Sequence, residues 1–197
     1  MSKCPFAIES ESQISKVLKQ VGDLMSLSID YVGNPNGKAP TCKHGPSECQ
    51  GNIQQLCLAQ YAASDRQLLD FVLCQNAQRD DIGSQALARS CAVAAAGITD
   101  EETLASLTDC WSSYQGEGLL RRSMSYSMKR GITYSPGIFI AGVESGEDDT
   151  ADDFVAAICK AASAAAGGSQ PAQCRDTPSQ VEHTQAHTDS THRSIQR

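Results

Sequence analysis

The amino-acid sequence predicts an α/β domain in which a helix and a strand come first, a block of short helices follows, and a strand and a helix end the domain. Apolar residues recur every three or four positions over most of the chain, which is typical of helices. Two short apolar segments instead have the pattern of strands. A chain of 197 residues is long enough to bury the core of one such domain.

The first helix is predicted over residues 5–25, where Pro5 suits the first helical position because its missing N–H costs nothing there. One apolar stripe runs along this helix, formed by Ile14, Val17, Leu18, Val21 and Leu24. Residues 26–32 alternate between apolar and polar side chains and predict a strand, which the turn-forming residues 33–37 end.

The middle of the chain predicts five short helices, at residues 48–63, 65–75, 84–96, 100–111 and 118–129. Residues 138–142 predict a short buried strand, and residues 150–166 predict the last helix, because acidic residues favour its start. Two isolated strands form a marginal sheet, so a third strand is expected between them.

Composition narrows the classes of function. The net charge is −7 and the pI is near 5.0, with lysine and arginine scattered, so no nucleic-acid partner is expected. The sequence contains no apolar run of about 18 residues, so no membrane helix is predicted. No cofactor is expected. Residues 1–166 are predicted to form the domain, and the polar residues 167–197 a disordered tail. Three tail histidines allow a metal site as the alternative to a solvated tail: His183, His187 and His192.

Cys4 is the candidate nucleophile. It stands directly before Pro5, at the start of the predicted first helix, where the helix dipole and free N–H groups favour a thiolate. Dithiol oxidoreductases place their attacking sulfur in this way, with a second cysteine three residues on, but this chain has Ala7 there. The alternative is an unpaired thiol near a frayed terminus. Ser135 and Pro136 precede the second strand, where thioredoxin-like proteins carry a cis-proline that faces the attacking cysteine. The alternative is an ordinary turn with a trans proline.

Residues 42–57 hold the densest cysteine cluster and allow two interpretations. Cys42, His44, Cys49 and Cys57 supply enough ligands for zinc, although their spacing is unusual for it. The other interpretation is a loop closed by disulfides that leads into a helix. Nine cysteines are an odd number, so at least one stays unpaired.

The cluster resembles the signature of the gamma-interferon-inducible lysosomal thiol reductase (GILT) family, C-Q-H-G-x2-E-C-x2-N-x4-C. The matching residues are Cys42, His44, Gly45, Glu48, Cys49, Asn52 and Cys57, and Lys43 replaces the glutamine. The resemblance implies a thioredoxin-like fold with a helical insertion at about residues 42–130. It also implies reduction of protein disulfides, Cys4 as the attacking cysteine, and Ser135 and Pro136 as substrate-binding residues. In a single-thiol reaction the mixed disulfide would be resolved by an external thiol or by another cysteine of this chain, from residues 42–57.

The remaining domain cysteines fall where such proteins carry further cysteines: Cys74, Cys91, Cys110 and Cys159. With Cys42, Cys49 and Cys57 they are the candidates for structural disulfides. Cys91 and Cys110 flank a predicted helical hairpin and are expected to pair. Cys174 lies outside the resemblance.

The resemblance also exposes two departures. The resolving cysteine is absent, and the chain starts at Met1 without the first central strand or the signal peptide of the family. We therefore expect a truncated start and a full-length product that is secreted or lysosomal or vacuolar. Three functions follow as hypotheses: a single-thiol oxidoreductase, a non-catalytic interaction protein held by disulfides, and a metal-binding protein.

Overall fold

The computed structural model describes residues 1–146 and 149–175, which contain seven α-helices and one β-hairpin. The helices are α1 (Pro5–Val21), α2 (Pro46–Tyr61), α3 (Asp65–Asn76), α4 (Gln85–Ala94), α5 (Glu101–Trp111), α6 (Tyr114–Lys129) and α7 (Ala151–Ala165). The hairpin strands are β1 (Phe139–Ile140) and β2 (Val143–Glu144). This part of the chain is mostly helical, and the helices predicted from the sequence are confirmed to within a few residues.

Helices α2 to α6 surround the larger of two apolar cores. Leu58, Phe71, Leu107 and Leu120 lie fully buried in it. Four of these helices begin at a residue whose side-chain oxygen accepts a hydrogen bond from a backbone N–H of the first turn: Ser64, Ser84, Asp100 and Ser113. Such caps satisfy N–H groups that have no partner within the helix, which explains why short helices start at these positions.

The smaller core joins α1 to α7. Val17 and Val21 of α1 pack with Phe154 and Ile158 of α7, and Cys174 is buried beside them. The 3-10 helix Ala172–Cys174 also belongs to this core, although it follows the predicted domain boundary at residue 166. Apolar periodicity does not mark this segment in the sequence, and the disulfide from Cys174 to Cys159 attaches it to α7. The rest of the predicted tail, with its three histidines, lies outside the described residues.

Residues 26–32 were predicted as a strand, and this prediction is wrong for the described part of the chain, where they belong to no sheet. The alternation did predict which side chains are buried, since Tyr31 is buried while Ser28 and Asp30 are exposed. Side chains bind the backbone instead of a neighbouring strand. The N–H of Leu27 donates to Asp65 Oδ2 at 2.7 Å, and that of Tyr31 to Ser123 Oγ at 2.8 Å.

A buried chain of hydrogen bonds ties this segment to α2 and α3. The Tyr31 hydroxyl donates to Gln55 Oε1, and Gln55 Nε2 donates to Gln75 Oε1 at 2.9 Å. Gln75 Nε2 then donates to Gln54 Oε1 at 2.9 Å. Burial raises the pKa of Tyr31 well above its usual range, so the hydroxyl stays protonated and available as a donor.

The second predicted strand is shorter than expected and has a partner that the sequence did not indicate. Phe139 and Ile140 pair antiparallel with Glu144 and Val143. The two residues between the strands, Ala141 and Gly142, both have positive φ, at 50° and 83°, as a tight hairpin turn requires.

Four disulfides join Cys42 to Cys49, Cys57 to Cys110, Cys74 to Cys91 and Cys159 to Cys174. The expected pair of Cys91 with Cys110 is wrong. Cys91 of α4 bonds to α3, and Cys110 of α5 bonds to α2, and in both cases the two helices pack against each other. Pairing depends on which helices meet, and spacing along the chain does not encode this. Cys4 is left as the free thiol.

The disulfides have unequal expected effects on stability. In the chain-entropy picture, the bond that spans 53 residues contributes about 4 kcal/mol and the one that spans 15 contributes about 3 kcal/mol. The double variant Cys57→Ala/Cys110→Ala should therefore lose more free energy of unfolding in urea than Cys159→Ala/Cys174→Ala. The reverse order would show that the last disulfide holds more of the fold than its loop length indicates.

Glu11 of α1 contacts α3 in a desolvated position. Its Oε2 accepts from Asn76 Nδ2 at 2.6 Å, and Asn76 Oδ1 is buried without a hydrogen-bond partner among the described residues. Burial raises the pKa of Glu11, against the opposing effects of the Asn76 hydrogen bond and of the Met1 amino group. Folding thus favours the neutral acid, so the stability that this group contributes is present at low pH and is lost as pH rises through its folded pKa.

We predict that Glu11→Gln raises the melting temperature at neutral pH, because the glutamine amide is uncharged and can also donate to Asn76 Oδ1. The gain should shrink as the pH approaches about 4, where the wild-type carboxyl is also neutral. Glu9→Gln, on the exposed side of the same helix, serves as the control and should change little. A melting temperature that falls at neutral pH would mean that the Glu11 carboxylate is stabilising.

Candidate functional site

Cys4 is the residue directly before α1. Pro5 occupies the first helical position, and the Cys4 carbonyl accepts the hydrogen bond from Ile8 N at 3.1 Å. The side chain of Cys4 makes no capping hydrogen bond, so its sulfur is not engaged by the helix backbone. The sulfur of this free cysteine therefore lies at the positive end of the α1 dipole.

Ser135 and Pro136 lie opposite this sulfur. Cys4 Sγ is 3.5 Å from the carbonyl oxygen of Ser135, although 131 positions separate the two residues. The Ser135–Pro136 peptide bond is cis, and β1 begins three residues after Pro136. The structure thus brings together the three residues that the sequence singled out at opposite ends of the domain.

Cys4 occupies a buried position. Cys4 is only 6% exposed, and Ala7, one turn along α1, is buried. Two aromatic residues near Cys4 and Ser135 in the sequence have exposed side chains: Phe6 is 67% exposed and Tyr134 is 43% exposed. The Tyr134 hydroxyl donates to a carboxylate oxygen of Glu144 in β2.

The first half of the signature shapes the start of α2. Gly45 has a φ of +88°, which a residue with a side chain rarely adopts, and Pro46 follows as the first helical residue. The disulfide between Cys42 and Cys49 closes this turn. Cys57, further along α2, bonds to Cys110 of α5.

Glu48 and His44 form a pair within the same turn. His44 Nδ1 lies 2.5 Å from Glu48 Oε2, and the backbone N–H of His44 donates to Glu48 Oε1 at 3.2 Å. The Glu48 carboxylate is fully buried, so these partners offset the cost of removing its charge from water.

Two signature residues, Glu48 and Asn52, also bind the segment before Cys4. The backbone N–H of Lys3 donates to Glu48 Oε2 at 3.3 Å, and that of Ser2 donates to Asn52 Oδ1 at 2.9 Å. Sequence reasoning did not find this contact, because nothing in the pattern of residues 1–3 links them to α2.

Arg79 was also missed. Its Nε and Nη2 both donate to the carbonyl oxygen of Lys3, at 2.9 and 2.7 Å. It lies in the 3-10 helix Arg79–Asp81, on the exposed surface, and a lone surface arginine carries no sequence signal.

The zinc interpretation of the cysteine cluster does not agree with these contacts. Three of its four candidate ligands are bound in disulfides, and His44 faces Glu48. No group of three or more potential metal ligands lies together in residues 1–146 and 149–175. Within the same ranges, the helices lack the combination of length and apolar character that crossing a membrane requires.

Cys4 supplies the group that attacks in thiol–disulfide exchange, a free sulfur at the start of a helix, where the helix dipole favours an anion. In the contact with Ser135 the thiol of Cys4 is the donor and the Ser135 carbonyl the acceptor. With Ala7 one turn on and the other eight cysteines in disulfides, no second free thiol accompanies Cys4. A mixed disulfide formed at Cys4 would therefore have no neighbouring thiol to release it.

Comparison with known proteins gives one family. The family model described as gamma interferon inducible lysosomal thiol reductase (GILT) matches residues 1–95. No curated protein matches the chain. The matched range contains Cys4, the whole signature and Arg79, which are the residues whose contacts are described above. Residues 1–95 are therefore similar to the GILT family, which supports the resemblance seen in the signature at residues 42–57.

Proposed function

We propose that the protein is a single-thiol oxidoreductase that reduces disulfides in proteins or peptides. The observation that carries this proposal is the free sulfur of Cys4 at the start of α1, 3.5 Å from the carbonyl of Ser135. The similarity of residues 1–95 to the GILT family supports this class of reaction. Ser135 and Pro136 are proposed to contact the substrate, since they lie beside the sulfur on the other side of the site.

The proposed reaction proceeds in two exchanges. The Cys4 thiolate attacks one sulfur of the substrate disulfide, a new S–S bond forms to Cys4, and the other substrate sulfur leaves as a thiolate. A thiolate of an external reductant then attacks the substrate sulfur of this mixed disulfide and releases Cys4. A second external thiol frees the substrate sulfur, so two external thiols become one disulfide and the substrate gains two thiols.

The second candidate is a non-catalytic interaction protein. The burial of Ala7 at the resolving position and the four disulfides favour it, because both fit a scaffold without dithiol chemistry. It differs from the first candidate in one measurable property, the ability of Cys4 to form a mixed disulfide. We place the proposed activity in a secretory or lysosomal compartment, where structural disulfides persist.

We also propose a thioredoxin-like arrangement around the site. Residues 28–32 and 136–140 are two extended segments that line a cavity of about 400 Å³ together with α1 and α7. Within the described residues, the N–H groups of residues 28–30 donate to no backbone carbonyl. A strand placed in the cavity would supply partners to both segments and join them in one sheet.

We predict that Cys4 forms one covalent adduct when the protein is mixed with a small peptide disulfide without reductant. Intact-mass spectrometry should show a single added peptide, and Cys4→Ser should show none. In Ala7→Cys the adduct should not accumulate, because the second thiol one turn along α1 would displace the peptide. A wild-type protein without an adduct would favour the non-catalytic scaffold.

The thioredoxin-like arrangement predicts that an added strand binds in the cavity. Met1 lines the cavity, so residues fused before Met1 would start within it. A six-residue fusion of alternating valine and threonine should raise the melting temperature and slow hydrogen exchange of the amides of residues 28–30. A fusion of the same length with proline at alternate positions should do neither, because proline lacks the N–H that a sheet needs. Equal behaviour of the two fusions would contradict the thioredoxin-like arrangement.

A further inference from the structure

The two residues before Cys4 are bound by side chains from two other elements. Ser2 is 1% exposed, and its N–H donates to Asn52 Oδ1 of α2. Its hydroxyl donates to the carbonyl of Glu48 at 3.2 Å. A polar residue so close to the chain end is buried here because α2 satisfies both of its donors.

Lys3 is bound on both sides of its backbone. Its N–H donates to Glu48 Oε2, and its carbonyl accepts two hydrogen bonds from the guanidinium of Arg79. Its ammonium group donates to Ser47 Oγ and to the carbonyl of Asp80, at 3.3 and 3.1 Å. Bonds that involve a charged donor or acceptor are the stronger kind, so the peptide groups next to Cys4 have little freedom.

Gly51 allows the chain to approach α2 this closely. A Cβ at this position would lie 2.7 Å from Ser2 Oγ and 2.3 Å from Ile82 Cγ2. Both distances are shorter than side chains tolerate. The glycine in the middle of α2, which is unfavourable for a helix by itself, is therefore explained by the contact with Ser2.

We infer that Glu48, Asn52 and Arg79, which we call the Cys4 clamp, are positioning residues for the sulfur of Cys4. None of them acts on the substrate in this inference. They fix the peptide groups of Ser2 and Lys3, so that Cys4 enters α1 at its first turn and its sulfur lies against Ser135. The inference rests on the proposed function, and it gives Glu48 and Asn52 of the signature a role in the reactivity of Cys4.

The test compares the rate at which Cys4 reacts with iodoacetamide at about pH 6 and at about pH 9, below and above the usual cysteine pKa of about 8.5. Access to the sulfur is the same at both pH values, so the ratio of the two rates reports the thiolate fraction. The ratio should fall at least about fivefold in Arg79→Ala and in Asn52→Ala. Arg89→Ala is the control, because Arg89 is an exposed arginine that pairs with Glu101 away from the site.

The outcomes separate the clamp from a simple effect of charge. Asn52 is neutral, so a fall in both variants supports the clamp, whereas a fall in Arg79→Ala alone overturns it. If Asn52→Ala does not fold, Arg79→Lys decides, since it keeps the charge without the two-nitrogen contact. Full recovery of the wild-type ratio in Arg79→Lys would overturn the clamp, and partial recovery would support it.

The same experiment can contradict the proposed function and the Cys4 clamp independently of each other. If the wild-type ratio equals that of the urea-denatured chain, the folded site does not favour the thiolate and the oxidoreductase proposal loses its physical basis. If the wild-type ratio is higher than that of the denatured chain but neither clamp variant changes it, only the clamp is wrong.

Discussion

The backbone of Ser2 and Lys3 is bound to α2 and to Arg79, and in our inference this contact holds Cys4 at the start of α1. Without it, the polar side chain of Ser2 would have no reason to lie in the interior. With it, Cys4 is the residue that precedes the first helical turn. The dipole of α1 and the carbonyl of Ser135 then act on a sulfur whose position is fixed.

This contact is only as rigid as α2. The disulfide between Cys42 and Cys49 fixes the turn before the helix, and the bond from Cys57 to Cys110 ties its second half to α5. Between them, Gln54 and Gln55 bind Gln75 of α3 in the buried hydrogen-bond chain. The disulfides therefore hold α2 in place, and Glu48 and Asn52 of α2 bind the residues next to Cys4.

Local patterns in the sequence predicted the helices, because caps and apolar spacing are properties of neighbouring residues. Residues 26–32 show the limit of this reasoning: their alternation predicted the burial of Tyr31, but no pattern could reveal that Asp65 and Ser123 bind the backbone there. The prediction of a partner for Cys110 failed for the same reason, since its bond to Cys57 depends on which helices pack together. At the site, Cys4, Ser135 and Pro136 were predicted from local chemistry, whereas Arg79 gave no signal.

The central claim is that the fold makes Cys4 a better nucleophile toward disulfides than the same cysteine is in the unfolded chain. Cys4 is the free thiol among nine cysteines, so the thiol that it releases from an aromatic disulfide reports this residue alone. The rate of this release is measured at neutral pH in the native protein and again in urea. The account predicts a faster release by the native protein. An equal or slower release by the native protein would contradict it.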